Sequence, residues 1–208
     1  MEMQDNVTKK NEELWDSRAG NYDRWFRFTR WSQRKLVSAL ALEGNPSLLD
    51  LACGTGWAVY YASKLMNGNG NYYGIDLSSK MIKEAEGKYS GCKNVHFRVA
   101  NAGNLPFDKE FFDYVMCSNA FHHFSSPEQV VEEASRVLKP HGKLLVLDAA
   151  ADSSILALLD WFMKKIEKGH VKIYSTSEFK VFFQKAGLCY VSGKSIAPAV
   201  KIQIGEKP

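Results

Sequence analysis

From Ser47 onward, short apolar runs rich in branched and aromatic residues alternate with segments whose apolar positions recur at the helical period. That alternation predicts an α/β fold, doubly wound, with a mostly parallel sheet covered on both faces by helices. Strands are predicted at residues 47–52, 71–76, 95–99, 112–118 and 142–148, each followed by a helix. Ser126-Pro127-Glu128-Gln129 opens the fourth of these helices, with serine as N-cap, proline at the first helical position and glutamine placed to close a capping box. Val130, Val131, Ala134, Val137 and Leu138 supply its apolar stripe, and Lys139-Pro140-His141-Gly142 stops it.

A later helix begins around Ser175-Thr176-Ser177-Glu178 and ends at Gly187, where a left-handed residue suits a helix terminus, with Phe179, Phe182 and Phe183 on one face. Two strands, 188–195 and 199–205, finish the chain and turn near Pro198. With no helix between them they pair antiparallel, which makes seven strands with an antiparallel terminal strand. Residues 155–168 read as an extra amphipathic helix ahead of that ending. There is no internal repeat and no sign of a second domain.

Composition fits this picture and removes several others. The chain has 208 residues, 45% hydrophobic and 24% charged, which excludes disorder and collagen and suits one soluble domain. A chain of this size buries roughly 70% of its unfolded surface, so it needs no disulfide staples. Cys53, Cys92, Cys117 and Cys189 form no C-x-x-C pair and no zinc-like cluster, so no metal is expected and a reducing cytoplasm is. Apolar runs are too short to cross a bilayer, and the first thirty residues lack a secretory signal's apolar stretch. The net charge of +4 is mixed along the chain except near residues 24–35.

The candidate chemistry lies in Asp50-Leu51-Ala52-Cys53-Gly54-Thr55-Gly56, an apolar strand running into a glycine turn that opens a helix at 58–65. In an open α/β sheet, ligands bind at the carboxyl ends of strands, and glycines let backbone approach them closely. Twenty residues beyond Gly56, the next strand ends in Asp76, whose carboxylate suits the two hydroxyls of a ribose. A dinucleotide fingerprint starting at Gly54 would need a third glycine at position 59, which holds Val59, and no Arg or Lys in the turn could meet a pyrophosphate. Asp50 at the strand end favours a cationic amino-acid tail over a phosphate.

With these stand Gly74-Ile75-Asp76-Leu77-Ser78, Asn101-Ala102-Gly103-Asn104-Leu105-Pro106-Phe107, Phe112-Asp113-Tyr114-Val115-Met116-Cys117-Ser118 and Arg136-Val137-Leu138-Lys139-Pro140-His141-Gly142-Lys143. In order and spacing the chain resembles, over about residues 12–206, the class I S-adenosylmethionine-dependent methyltransferases. Within them it looks most like the small-molecule group that includes the ubiquinone and menaquinone biosynthesis enzymes. The resemblance implies a Rossmann-like methyltransferase fold and one domain over 1–208. Its parts would be an N-terminal helical lid (1–42), a cofactor-binding core (47–150), and an inserted helix with the terminal strand pair (151–208). It also implies S-adenosylmethionine as cofactor and S-adenosylhomocysteine as product.

By the same resemblance, Asp50, Ala52, Gly54, Thr55 and Gly56 would surround the amino-acid part of the cofactor and Asp76 its ribose. Leu77 and Met81 would sandwich the adenine, Asn101 and Ala102 would meet its edge, and Ser118 and Asn119 would lie beside the methionine moiety. Relatives often carry aspartate where Asn101 stands; an amide still donates and accepts. Trp15-Asp16-Ser17-Arg18-Ala19-Gly20-Asn21-Tyr22-Asp23 resembles the family's lid segment, with Tyr22 over the cofactor. His122 and His123 follow the fourth strand, where one could act as a base; otherwise one packs and the other orders the loop.

Several of these residues also admit plainer roles. Met81 could simply fill core, and Asp50 could cap nearby amides. Arg24-Trp25-Phe26-Arg27-Phe28-Thr29-Arg30-Trp31 interleaves cations with aromatics, a composition open to nucleic acid or a membrane surface. The simpler expectation puts its aromatics on the inner face of the lid, with Trp161, Phe162 and Met163 lining the same pocket.

The expected activity is methyl transfer to a small organic acceptor by direct displacement, with nucleic acid disfavoured as a partner and no stable membrane insertion. Ser118-Asn119-Ala120-Phe121 stands where DNA amino-methyltransferases carry Asn-Pro-Pro-aromatic. The alternatives are a non-catalytic cofactor-binding regulator or partner subunit and, more remotely, an NAD-dependent dehydrogenase.

Overall fold

A single sheet runs in the order β3-β2-β1-β4-β5-β7-β6. Its strands are β1 (Ser47–Leu51), β2 (Asn71–Asp76), β3 (Val95–Val99), β4 (Phe112–Ser118), β5 (Leu138–Ala149), β6 (Cys189–Ala197) and β7 (Val200–Glu206). The computed structural model describes residues 2–25, 29–152, 160–161, 165 and 169–208, with side chains from residue 7 onward except at 25. The pairs β3·β2, β2·β1, β1·β4 and β4·β5 are parallel, whereas β7 is antiparallel to both β5 and β6. Strand order therefore reverses between β1 and β4, which opens a crevice at the carboxyl ends of those strands.

Alternate residues of the central strands feed two cores. Leu49, Leu51, Val115, Cys117, Leu144 and Val146 face one side, where α6 (Pro127–Val137) and α7 (Thr176–Lys185) cover them. Leu48, Met116, Leu145 and Leu147 face the other, beneath α3 (Thr29–Ala39), α4 (Trp57–Leu65) and α5 (Ser79–Tyr89). Burial on both faces is why these strands read as continuous apolar runs. Each fully buried Leu contributes about 1.5–3 kcal/mol. The N-terminal segment forms α1 (Glu2–Arg18) and the short α2 (Tyr22–Trp25), which lead into α3.

Two local expectations change. The sequence stops the fourth helix at Lys139-Pro140-His141-Gly142, yet α6 ends at Val137 and β5 begins at Leu138, with Leu138 pairing Phe112. The proline is accommodated beside an irregularity in that ladder between Phe112 and Tyr114. Ser126 is the α6 N-cap but accepts no side-chain cap bond, and the Gln129 side chain is engaged elsewhere, its Nε2 donating to the Gly103 carbonyl at 2.9 Å. The α7 capping box between Ser175 and Glu178 forms as expected, and Gly187 takes φ +74° past its end. The amphipathic helix expected at 155–168 lies mostly outside the described residues. Among the described residues no helix is long and apolar enough to cross a membrane.

Candidate active site

The turn after β1 is built from left-handed residues: Ala52 (φ 62°), Gly54 (φ 54°) and Gly56 (φ 80°). They reverse the chain so tightly that α4 starts at Trp57. A Cβ on Gly56 would sit 2.5 Å from the Phe97 ring, so that position requires glycine. A Cβ on Gly54 would meet only the ring of Tyr22, at 3.6 Å, which shows the tyrosine lying over the turn.

Two carboxylates stand at the adjoining strand ends. Asp76 accepts the Gly54 N–H on one oxygen and the Ser78 N–H on the other, both at 2.9 Å. The Leu77 N–H donates to it too, and a carboxylate offers about four lone-pair sites, so acceptor capacity still remains. Burial pushes its pKa up to about 6 against the pull of those amides. Asp50 is 2% exposed, and its Oδ1 has no hydrogen-bond partner. Burial first, then the Asp76 charge, holds its pKa well above the usual carboxylate range. A carboxylate so placed waits for a cation or a proton.

Between these tips and the N-terminal helix lies a cavity of about 370 Å³. Its walls include Ala52 and Gly54 after β1, Asp76 and Leu77 after β2, Asn101 and Ala102 after β3, and Ser118 and Asn119 after β4. Met81, on the first turn of α5, is 1% exposed and yet reaches the lining, so it both fills core and faces the cavity. The roof is α1, through Thr8, Asn11 and Trp15, together with Tyr22.

Side-chain contacts latch that roof onto the walls. Thr8 meets the Ser125 hydroxyl at 3.1 Å, Asn11 Nδ2 donates to the His123 carbonyl at 2.9 Å, and Asp16 accepts from the Ser78 hydroxyl at 2.5 Å. Asp23, next to Tyr22, accepts from the Thr55 hydroxyl at 2.6 Å and pairs with Lys88 at 2.9 Å. The loop after β3 is gripped from α6. Glu133 accepts the Leu105 N–H at 2.7 Å, while Arg136 donates to the Leu105 and Phe107 carbonyls and to Glu133 itself.

Of the residues singled out from the sequence, Tyr22, Ala52, Gly54, Asp76, Leu77, Met81, Asn101, Ala102, Ser118, Asn119 and His123 line the cavity. Asp50, Thr55, Gly56 and His122 stand behind the lining. The two histidines diverge because they are consecutive in a 3₁₀ turn, Phe121–His123. His122 turns away, its Nδ1 2.8 Å from Asp148, and that pairing holds the Asp148 carboxyl below its ordinary pKa in spite of burial. His123 faces the cavity, donates its Nδ1–H to the Gly169 carbonyl at 2.9 Å, and is driven by burial down to a pKa of about 3. It is a neutral imidazole at physiological pH.

Two aromatic expectations fail. Trp31 is 50% exposed on the outer side of α3, and Trp161 is 56% exposed with the Lys165 ammonium over its ring; neither lines the cavity. The side chains of Trp25, Phe26, Phe28, Phe162 and Met163 lie outside the described residues. Sequence reasoning did not assign Thr8, Asn11, Ser125, Ser126 or Gln129 to the site, and all five line it. Their signal was weak, since isolated hydroxyls and amides on polar helix turns form no pattern. Among the described residues, no group of three or more His, Cys, Asp or Glu side chains could hold a metal ion.

Comparison with known proteins agrees with this geometry. The family described as "Methyltransferase domain" matches residues 49–146. The uncharacterized methyltransferase YcgJ of Bacillus subtilis is 31% identical over 161 residues, which cover 74% of this chain and 62%, less than two thirds, of YcgJ. A demethylmenaquinone methyltransferase of Lactiplantibacillus plantarum is 30% identical over 164 residues, covering 74% of this chain and 69% of that protein. Among solved structures, a complex of the Haloferax volcanii Trm112 methyltransferase activator with a putative methyltransferase superposes with a TM-score of 0.80 at 24% identity, covering 93% of this chain and 97% of that one, which shows the shared fold. The chain belongs to the class I S-adenosylmethionine-dependent methyltransferases, in the group that contains the ubiquinone and menaquinone biosynthesis enzymes.

Proposed function

We propose that this chain transfers the methyl group of S-adenosylmethionine to a small organic acceptor by direct displacement. The observation that carries the reading is the pair of buried carboxylates at the strand tips, Asp76 with acceptor capacity left over and Asp50 with an orphaned oxygen. The donor set fits the cofactor: a ribose needs the first, and an amino-acid ammonium in a dry site needs the second. In this reading residues 1–42 act as lid, 47–150 as cofactor-binding core, and 151–208 complete one domain.

When bound, the cofactor supplies a methyl group activated by a positively charged sulfur. The residues then have defined tasks. Asp76 accepts the ribose hydroxyls, and Leu77 and Met81 enclose the adenine, whose edge meets Asn101 and Ala102. Gly54, Thr55 and Gly56 shape the turn around the amino-acid part, with Asp50 behind it, and Ser118 and Asn119 flank the methionine moiety. Tyr22 and α1 exclude water, which strengthens every polar contact inside and holds donor and acceptor in line. His123 presents a neutral ring to the acceptor side and serves as a positioning group. Its low pKa argues against a base that must hold a proton, and His122, committed to Asp148, is set back from the chamber.

The test is calorimetry with S-adenosylhomocysteine, followed by a screen of small hydroxyl, amine and activated-carbon acceptors for release of that product from S-adenosylmethionine. Micromolar binding that Asp76→Ala weakens, with turnover of at least one acceptor, is the expected outcome. Absence of binding sinks the reading. Binding without turnover on any acceptor would favour a partner-subunit role, the situation suggested by the activator complex of the Haloferax volcanii protein.

A further inference from the structure

The outer surface of α3 and α4 carries charge of one sign. Between them the two helices hold Arg30, Arg34, Lys35 and Lys64 and neither Asp nor Glu, a charge equal to the whole chain's net +4. Arg30 reaches Asp23 at 3.7 Å, but among the described residues Arg34, Lys35 and Lys64 meet no carboxylate. Trp31, 50% exposed, precedes Arg34 and Lys35 by three and four positions and so shares their face of α3, while Leu65, 49% exposed, follows Lys64 on α4. Cations flanking exposed Trp and Leu on adjacent helices are the composition of a surface that rests on charged headgroups and dips its apolar side chains beneath them.

We propose that the α3–α4 face is a docking surface for an anionic lipid bilayer. Charge complementarity selects an anionic partner, and the aromatic geometry selects between the two main kinds. Single-stranded nucleic acid needs open ring faces on which bases stack. Here, among the described residues, only Trp31 presents an open ring, too few for successive bases to stack, and the other rings are already occupied. Trp57 stacks on Tyr61 at 5.1 Å, Tyr60 stacks on Tyr89 at 4.5 Å, Arg34 lies 5.7 Å from both Trp57 and Tyr61, and Lys64 lies over Tyr60. What remains for a partner is ammonium and guanidinium edges with apolar tips between them.

The position suits the site. The inner side of α3 touches the chamber wall, where Ser32 accepts from Asn119 Nδ2 at 3.2 Å, so a bilayer against the outer side lies beside the lid.

Co-sedimentation with vesicles tests this. The full chain should pellet with phosphatidylcholine vesicles containing a quarter phosphatidylglycerol, should not pellet with phosphatidylcholine alone, and should be released when ionic strength rises from about 0.05 to about 0.5 M. Each cation removed should weaken partitioning about fivefold, so K35E/K64E should reduce it by at least about tenfold with an unchanged thermal midpoint. Should that double variant fold poorly, Lys35→Gln, exposed and stacked on nothing, should still show about a fivefold loss. Trp31→Ser should lower partitioning without changing its salt dependence. Equal binding to neutral vesicles, no binding to either kind, wild-type pelleting by both lysine variants, or displacement from vesicles by single-stranded RNA at equal phosphate would each overturn the proposal.

Discussion

The two ends of the sheet treat their carboxylates in opposite ways. At the carboxyl end, Asp50 and Asp76 are buried without a cation, and both have raised pKa values. At the amino end, Asp113 accepts from the Ser47 N–H at 2.8 Å and the Ser47 hydroxyl at 2.6 Å and meets the Lys139 ammonium at 2.9 Å, so its pKa is lowered although burial opposes this. Lys207 closes the same end by donating to the Ser135 and Leu138 carbonyls. One end is saturated and serves the fold. The other is left polar and incomplete, which costs stability and is repaired by a ligand or a proton.

The comparison can be broken at several points. The largest effect is expected for Asp76→Ala, which should weaken S-adenosylhomocysteine binding by about 2–3 kcal/mol, measured by calorimetry, and lower apo stability by about 1 kcal/mol through the Gly54 and Ser78 amides left unpaired. An unaltered dissociation constant would remove the ribose assignment. Gly56→Ala combines a left-handed backbone with a Cβ 2.5 Å from the Phe97 ring and should lower denaturant stability by about 1–3 kcal/mol. Gly54→Ala, facing only Tyr22 at ordinary contact distance, should cost less stability and more ligand affinity. Asp113→Ala should differ from Asp76→Ala in affinity: about 1 kcal/mol of stability lost, discounted for its partial exposure, with cofactor affinity intact.

Acidity should separate the ends as well. Because the folded-state pKa of Asp76 is raised, its contribution to apo stability is fully present below the unfolded value near 3.8 and is lost as pH rises through about 6. Ligand affinity should run the other way and rise over that window, since ribose hydroxyls need the ionised carboxylate. A binding constant flat from pH 5 to pH 7 would count against this. The smallest predicted change in stability is that of Tyr22→Ala, which opens the roof over Gly54. Turnover should fall about tenfold or more with little loss in thermal midpoint, and equal turnover would remove the lid assignment.

Much of this was legible in the residues, and the gaps have physical causes. Strands β2, β3 and β4 fall where the apolar runs place them; burial on two faces explains this for β2 and β4, whereas the edge strand β3 is largely exposed and is marked by its branched and aromatic residues. The start of β5 did not, since Pro140 and Gly142 look like a stop until the partner strand supplies the ladder. The glycine turn and Asp76 could be found because backbone conformation and charge constrain residue type. Thr8, Asn11 and Asp16 could not, because the partners named above lie at least 62 residues away in sequence and α1 is mostly polar. Gln129 was assigned to the cap it could have made locally, whereas the Gly103 carbonyl, 26 residues away, takes its amide.

The chamber's ceiling is a helix of 17 residues fastened by Thr8, Asn11 and Asp16 along one edge. Under the proposed function, a helical roof yields less readily residue by residue than a loop, so release of spent ligand is expected to need α1 to move as a unit. The pace of the cycle would then be tied to the undocking of α1, and a bulky tag fused to that helix should slow or hasten turnover without touching a reacting atom.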